Sequence, residues 1–104
     1  MNPLERCAVL FVDDDPRVLQ GLRRMLHAER HHWDLQFAAS GREALACLER
    51  NTFDALVTDL RMPDMDGVEL LTVAMAHHPN VARIVLSGEI DPSAGFKTVR
   101  CAHQ

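Results

Sequence analysis

Two hydrophobic rhythms take turns along this chain. Cys7 to Val12 is a short unbroken apolar run, as in a strand covered on both faces. From Pro16 the spacing changes: Val18, Leu19, Leu22, Met25 and Leu26 recur at the helical period and form one stripe. Trp33, Leu35 and Phe37 then alternate with Asp34 and Gln36, the pattern of a strand with one wetter face, such as an edge. Ser40-Gly41-Arg42-Glu43 is a capping box that starts a second helix running to about Arg50. Phe53 to Asp59 predicts a third strand. Asp66 to about His78 predicts a third helix, with Val68, Leu71 and Met75 inward and Leu70 and Val73 off that face. Val81 to Ser87 predicts a fourth strand, and Asp91-Pro92 opens a fourth helix.

Strand and helix alternating in this way favour βαβ units and an α/β fold with a parallel sheet. The 104 residues suffice for one domain and not for two. A formal net charge of −4 argues against direct nucleic-acid binding, which needs a basic face. No apolar run approaches the ~20 residues of a membrane span, and Met1 to Arg6 lacks the layout of a signal peptide. The three cysteines, Cys7, Cys47 and Cys101, each lie in an apolar-patterned segment, so buried thiols in a reducing cytoplasm are expected.

The candidate chemistry is carboxylate. The first strand runs into Asp13-Asp14-Asp15 and the third into Asp59. Right-handed crossovers bring the C-terminal ends of parallel strands to one sheet edge, where such folds bind ligands. Asp13, Asp14 and Asp59 should therefore converge. Carboxylates at close range repel unless a cation neutralises them, and Mg²⁺ suits a few carboxylates with waters and phosphate oxygens. Acids ahead of Pro16 are also good helix caps, and the Asp triplet alone would mean no more than that. The second acid, on another strand, shifts the balance.

"FVDDDP", "VTDLRMPDMDG" and "IVLSG", in that order and spacing, resemble the signature segments of response-regulator receiver domains over essentially the whole chain. The resemblance implies a doubly wound, flavodoxin-like parallel sheet with strand order 2-1-3-4-5. It also implies a phosphoacceptor module of a two-component regulator, modified by a sensor histidine kinase or phosphotransfer protein and switching an output domain. Position by position, Asp59 matches the phosphoacceptor. Asp14 and Asp59 match the Mg²⁺ carboxylates, Asp13 acts through a metal-bound water, and Arg61 offers its backbone carbonyl. Ser87 matches the hydroxyl that hydrogen-bonds the phosphoryl group, and Gly88 the small residue that leaves it room. No enzyme activity is implied beyond self-phosphorylation and slow self-dephosphorylation.

The pattern departs from the family at one point. The lysine that ends a fifth strand has no counterpart, because Lys97 falls inside the fourth helix and (βα)₄ stops at Gln104. The expectation is a receiver domain over 1–104 that lacks its fifth βα unit. It therefore pairs through the open fourth strand or the uncovered sheet face (a homodimer being one outcome), rearranges its fourth helix to cover them, or is a fragment of a longer polypeptide. Two other readings stand beside the switch. One is a degenerate receiver kept for dimerisation or interaction. The other is an aspartyl-phosphate phosphatase, disfavoured because Arg61 occupies the place of its second acid. Of the six histidines, His27 and His31 are spaced for a metal but sit where cations favour a helix C-terminus. "LQGLRRML", "WDLQFAASG" and "AHQ" resemble receivers that precede HD-type output domains. No membrane or nucleic-acid partner is expected.

Overall fold

The computed structural model describes residues 7–86. Strands β1 (Cys7–Val12), β2 (Trp33–Ala38), β3 (Ala55–Thr58) and β4 (Ala82–Val85) alternate with helices α1 (Pro16–Met25), α2 (Gly41–Arg50) and α3 (Gly67–His77). All strand pairs are parallel, in the order β2-β1-β3-β4, as the sequence resemblance implied. β1 is central and reads as continuous apolar sequence because both its faces are covered. Val9 and Phe11 point one way with Ala55 and Val57, beneath Leu22 of α1 and Leu26 at its C-cap. Leu10, Val12 and Leu56 point the other way, into a larger cluster with Ala44, Cys47 and Leu48 of α2 and Leu70 and Ala74 of α3. β2 is the edge strand that its alternation suggested. Its Phe37 stacks on Phe11 at 5.5 Å between centroids, and Arg23 of α1 lies 4.5 Å above the same ring.

Caps define where the helices start. Asp15 accepts the Arg17 N–H ahead of Pro16, Ser40 accepts the Glu43 N–H, and Asp66 accepts the Glu69 N–H. Glu43 reaches back to the Ala39 N–H at 2.9 Å, closing the capping box one residue earlier than its usual form.

Three expectations need correction. The inner face of α3 is Gly67, Leu70 and Ala74, with the expected Leu71 half-buried against the same core, while Val68 and Met75 are 60% and 53% exposed. The cause is that α3 is apolar on nearly every side, so its periodicity admits more than one rotation. The α1 stripe is narrower than its pattern: Leu19 is buried, but Met25 is exposed. The chain then leaves α1 for a 3₁₀ turn at His27–Glu29, so His27 and His31 do not share an α-helical face. Among the described cysteines, Cys47 is a buried free thiol, whereas Cys7 is half-buried. The expected fourth helix, Lys97, Cys101, and Ser87 and Gly88, which the resemblance matched to phosphoryl contacts, lie outside the described residues.

Candidate functional site

The acidic residues gather because β1 is central. Asp13 is the first residue past β1, and its N–H extends the ladder to the Ala38 carbonyl of β2 at 3.1 Å. Asp59 is the first residue past β3, and its N–H donates to the Val12 carbonyl at 3.1 Å. Both are thus held by the sheet at the same edge. One oxygen or more from each of Asp13, Asp14 and Asp59 lies within 4.8 Å of the others, the only such group of three potential metal ligands among the described residues. Asp13 is buried, Asp59 half-buried and Asp14 exposed, so the cluster forms a pocket open on one side.

Its electrostatics are asymmetric. Burial raises the Asp13 pKa above its ordinary value, and the charges of Asp59, Asp14 and Asp15 add to the rise. The Asp15 N–H, donated to Asp13 Oδ1 at 2.9 Å, opposes it. Asp15 is drawn the other way. The Arg17 guanidinium hydrogen-bonds its carboxylate and lowers its pKa, with help from the Arg17 N–H. Asp15 therefore serves as the helix cap and turns its charge to Arg17, leaving the pocket to the other three. Two Mg–O bonds of about 2.1 Å span at most about 4.2 Å, so oxygens grouped within 4.8 Å suit a divalent ion held directly by some of these carboxylates and through water by another.

The loop from Asp59 to Gly67 closes on itself through a Gly67 N–H to Leu60 carbonyl bond of 2.8 Å. Met62 is buried beneath it, and Met65 lies against Gly41 at the start of α2. Asp64 takes φ 67°, a left-handed conformation that aspartate tolerates better than most residues. Arg61 is exposed on this loop, two residues past Asp59. Sequence reasoning quoted Thr58 and Gly67 within the signature segment but gave neither a part in holding Asp59. A Cβ on Gly67 would overlap the Asp59 carbonyl oxygen and come within 2.8 Å of Leu60 Cα. Thr58 is fully buried, and its hydroxyl donates to the Asp59 carbonyl at 2.9 Å. The glycine stood in plain view after Asp66, but only the fold shows what it abuts.

A separate cleft of about 330 Å³ lies between the C-terminal ends of α2 and α3, at the opposite edge of the sheet from the carboxylates. There His78 Nε2 approaches Glu49 Oε2 at 3.2 Å. That contact is an ion pair only when the imidazole is protonated, and its angles fall short of a hydrogen bond.

Comparison with known proteins agrees with this arrangement. The pattern that defines the response regulator receiver domain matches residues 9–102. The chain is 37% identical over 87 residues to the hydrogenase transcriptional regulatory protein HoxA of Cupriavidus necator, covering 84% of this chain and 17% of HoxA. It is 41% identical over 63 residues to the transcriptional regulatory protein TrcR of Mycobacterium tuberculosis, covering 61% of this chain and 24% of TrcR. It thus spans about a quarter or less of these relatives. Among solved structures it is similar to the signal receiver domain of an HD domain-containing protein from Pseudomonas fluorescens Pf-5, with TM-score 0.76, 30% identity, and 86% and 70% of the two chains covered. Vibrio cholerae chemotaxis protein CheY4 gives TM-score 0.76 at 28% identity, covering 86% and 75%. With its parallel sheet in the order β2-β1-β3-β4 and its acidic strand ends, the chain belongs to the response regulator receiver domain family of two-component signalling.

Proposed function

We propose that this receiver is a phosphoacceptor switch in which Asp59 takes a phosphoryl group from a sensor histidine kinase or phosphotransfer protein. The observation that carries the reading is the convergence of Asp13, Asp14 and Asp59 at the ends of two adjacent strands. A carboxylate oxygen of Asp59 attacks phosphorus, the bond from phosphorus to the donor breaks, and an acyl phosphate results. Asp14, Asp59 and the Arg61 carbonyl would hold Mg²⁺ directly, and Asp13 through water. When bound, Mg²⁺ neutralises the clustered carboxylates and draws in the phosphoryl oxygens. Ser87 and Gly88 would contact the phosphoryl group by family resemblance. Asp13 keeps its place beside the acceptor through the Asp15 N–H.

The cytoplasm is the compartment that fits this role, and no described helix is long and apolar enough to cross a membrane. An HD-type output domain is the proposed downstream element, supported by the likeness to the receiver of an HD domain-containing protein.

Incubation with a small phosphodonor and Mg²⁺, followed by intact-mass measurement, tests the switch. The expected product carries one phosphoryl group, survives acid and is lost in base. Sustained hydrolysis of a phosphomonoester would favour a phosphatase instead, a reading weakened by Arg61 standing where such enzymes carry a second acid. No modification at saturating donor and Mg²⁺ would leave an interaction module.

A further inference from the structure

We propose that Thr58 is a positioning residue of the phosphoacceptor loop, its hydroxyl setting the direction in which the Asp59 carboxylate and the Arg61 carbonyl are presented. The inference rests on reading Asp59 as a Mg²⁺-dependent phosphoacceptor. It assigns a role to a residue outside the acidic cluster.

Thr58 and Asp13 are the two buried polar or charged residues among those described, and Thr58 is 0% exposed. Strand alternation puts Thr58 on the same face as Leu56, inside the larger core, where valine would fill the same volume. A hydroxyl sealed in such a place needs a partner, or it costs stability. Its partner is the Asp59 carbonyl at 2.9 Å. That carbonyl belongs to the first peptide beyond the strand, where inter-strand pairing has ended.

The donor itself is held firmly. Thr58 pairs with Val12 on one side and Val85 on the other, and its own carbonyl accepts the Leu86 N–H at 2.8 Å. Gly67 also lies against the Asp59 carbonyl, so closely that a Cβ there would overlap it. One peptide further on, the Leu60 carbonyl accepts the Gly67 N–H. The peptides that lead from the phosphoacceptor to Arg61 are thus fixed in succession, and the Thr58 hydroxyl is the first fixing point. Without it, the Asp59–Leu60 peptide is free to rotate away from Gly67. Metal ligands on both sides of that peptide would then lose their common focus.

Thr58→Val removes the donor and keeps the shape, whereas Thr58→Ser keeps the donor. Thr58→Val is expected to weaken Mg²⁺ binding about tenfold, the usual effect of losing a partner that orients a metal ligand. Phosphorylation by a small donor should slow at low Mg²⁺ and recover at saturating Mg²⁺. Thr58→Ser should behave as wild type. In metal-free protein, amide NMR signals of Leu60, Arg61 and Gly67 should move in Thr58→Val and stay in place in Thr58→Ser. Wild-type Mg²⁺ affinity in Thr58→Val overturns the inference, as do unmoved loop signals. If the wild type itself takes up neither Mg²⁺ nor phosphate, the phosphoacceptor reading fails separately. The metal-free spectra then still decide whether Thr58 orients the loop.

Discussion

Asp59→Asn is expected to abolish phosphorylation and, in the absence of metal, to make the protein more stable at neutral pH. The first effect follows from chemistry: an amide oxygen is not a competent nucleophile toward phosphorus, and no other acid stands at the end of β3. The second follows from the crowding of Asp13, Asp14 and Asp59 within 4.8 Å. Asp13 registers the strain, since burial and then its neighbours' charges raise its pKa above 3.8. An acid whose pKa is raised on folding adds stability that is complete below 3.8 and lost as pH rises through the folded value. Asp15 acts in the opposite sense: its lowered pKa stabilises the fold above the ordinary value, and that help is lost as pH falls. Removing the Asp59 charge should restore about 0.5–2 kcal/mol at pH 7, the range typical of relieved charge crowding. Urea unfolding with a chelator present measures this gain. Added Mg²⁺ should raise the stability of wild type and do little for Asp59→Asn. A variant that still gains one phosphoryl group would remove Asp59 from the site.

Gly67→Ala should be the most damaging single-methyl change in the chain. Alanine at the first turn of a helix is ordinarily favoured over glycine, by up to ~1 kcal/mol. Here the added methyl would overlap the Asp59 carbonyl oxygen and crowd Leu60 Cα at 2.8 Å. Both obstacles are backbone, anchored by the Asp59 N–H to Val12 and the Gly67 N–H to Leu60. Relief requires lifting α3 or displacing the phosphoacceptor, at a cost of ~3 kcal/mol or more. That is a large fraction of the 5–15 kcal/mol typical of a whole domain. Gly41→Ala provides the control. Its methyl would meet Met65 Sδ at 2.8 Å, but a thioether side chain can swing aside. Its cost should be nearer ~1 kcal/mol. Equal denaturation midpoints for the two variants would contradict this account.

The alternating strands and helices and the meeting of the acids were legible because each rested on a short-range signal, whereas the sheet order came from the resemblance carried by the three motif segments. A continuous apolar run, a proline, a capping box and strand-ending acids are all visible one residue at a time. The inward face of α3 was not. Val68, Leu71 and Met75 make as good a stripe as any, but the rotation is set by Gly67, whose lack of a side chain lets α3 approach Asp59. Once Gly67 faces the sheet, Leu70 and Ala74 follow it inward. Glycine and alanine carry little hydrophobic signal, so a periodicity built on large residues placed Leu71 against the core but turned Val68 and Met75 inward as well, where the structure has them exposed. The part played by Thr58 escaped notice for a related reason. Its hydroxyl acts on the next residue's carbonyl, and nothing in the spacing of side chains reveals a backbone contact.

The unequal anchoring of the helices has a consequence for how this domain breathes. α2 buries Gly41, Ala44, Cys47 and Leu48, and α3 buries Gly67, Leu70 and Ala74, while α1 buries Leu19 alone among the described residues. Local opening draws on the elements with the fewest buried contacts. Amide hydrogens of α1 should therefore exchange with solvent well before those of β1 and β3. The acidic pocket sits on that boundary. Asp59 and Asp13 belong to the slow-exchanging sheet, whereas Asp14 and Asp15 lead into the helix that opens first. One wall of the pocket thus keeps time with the core, and the other with a helix that lets go and returns.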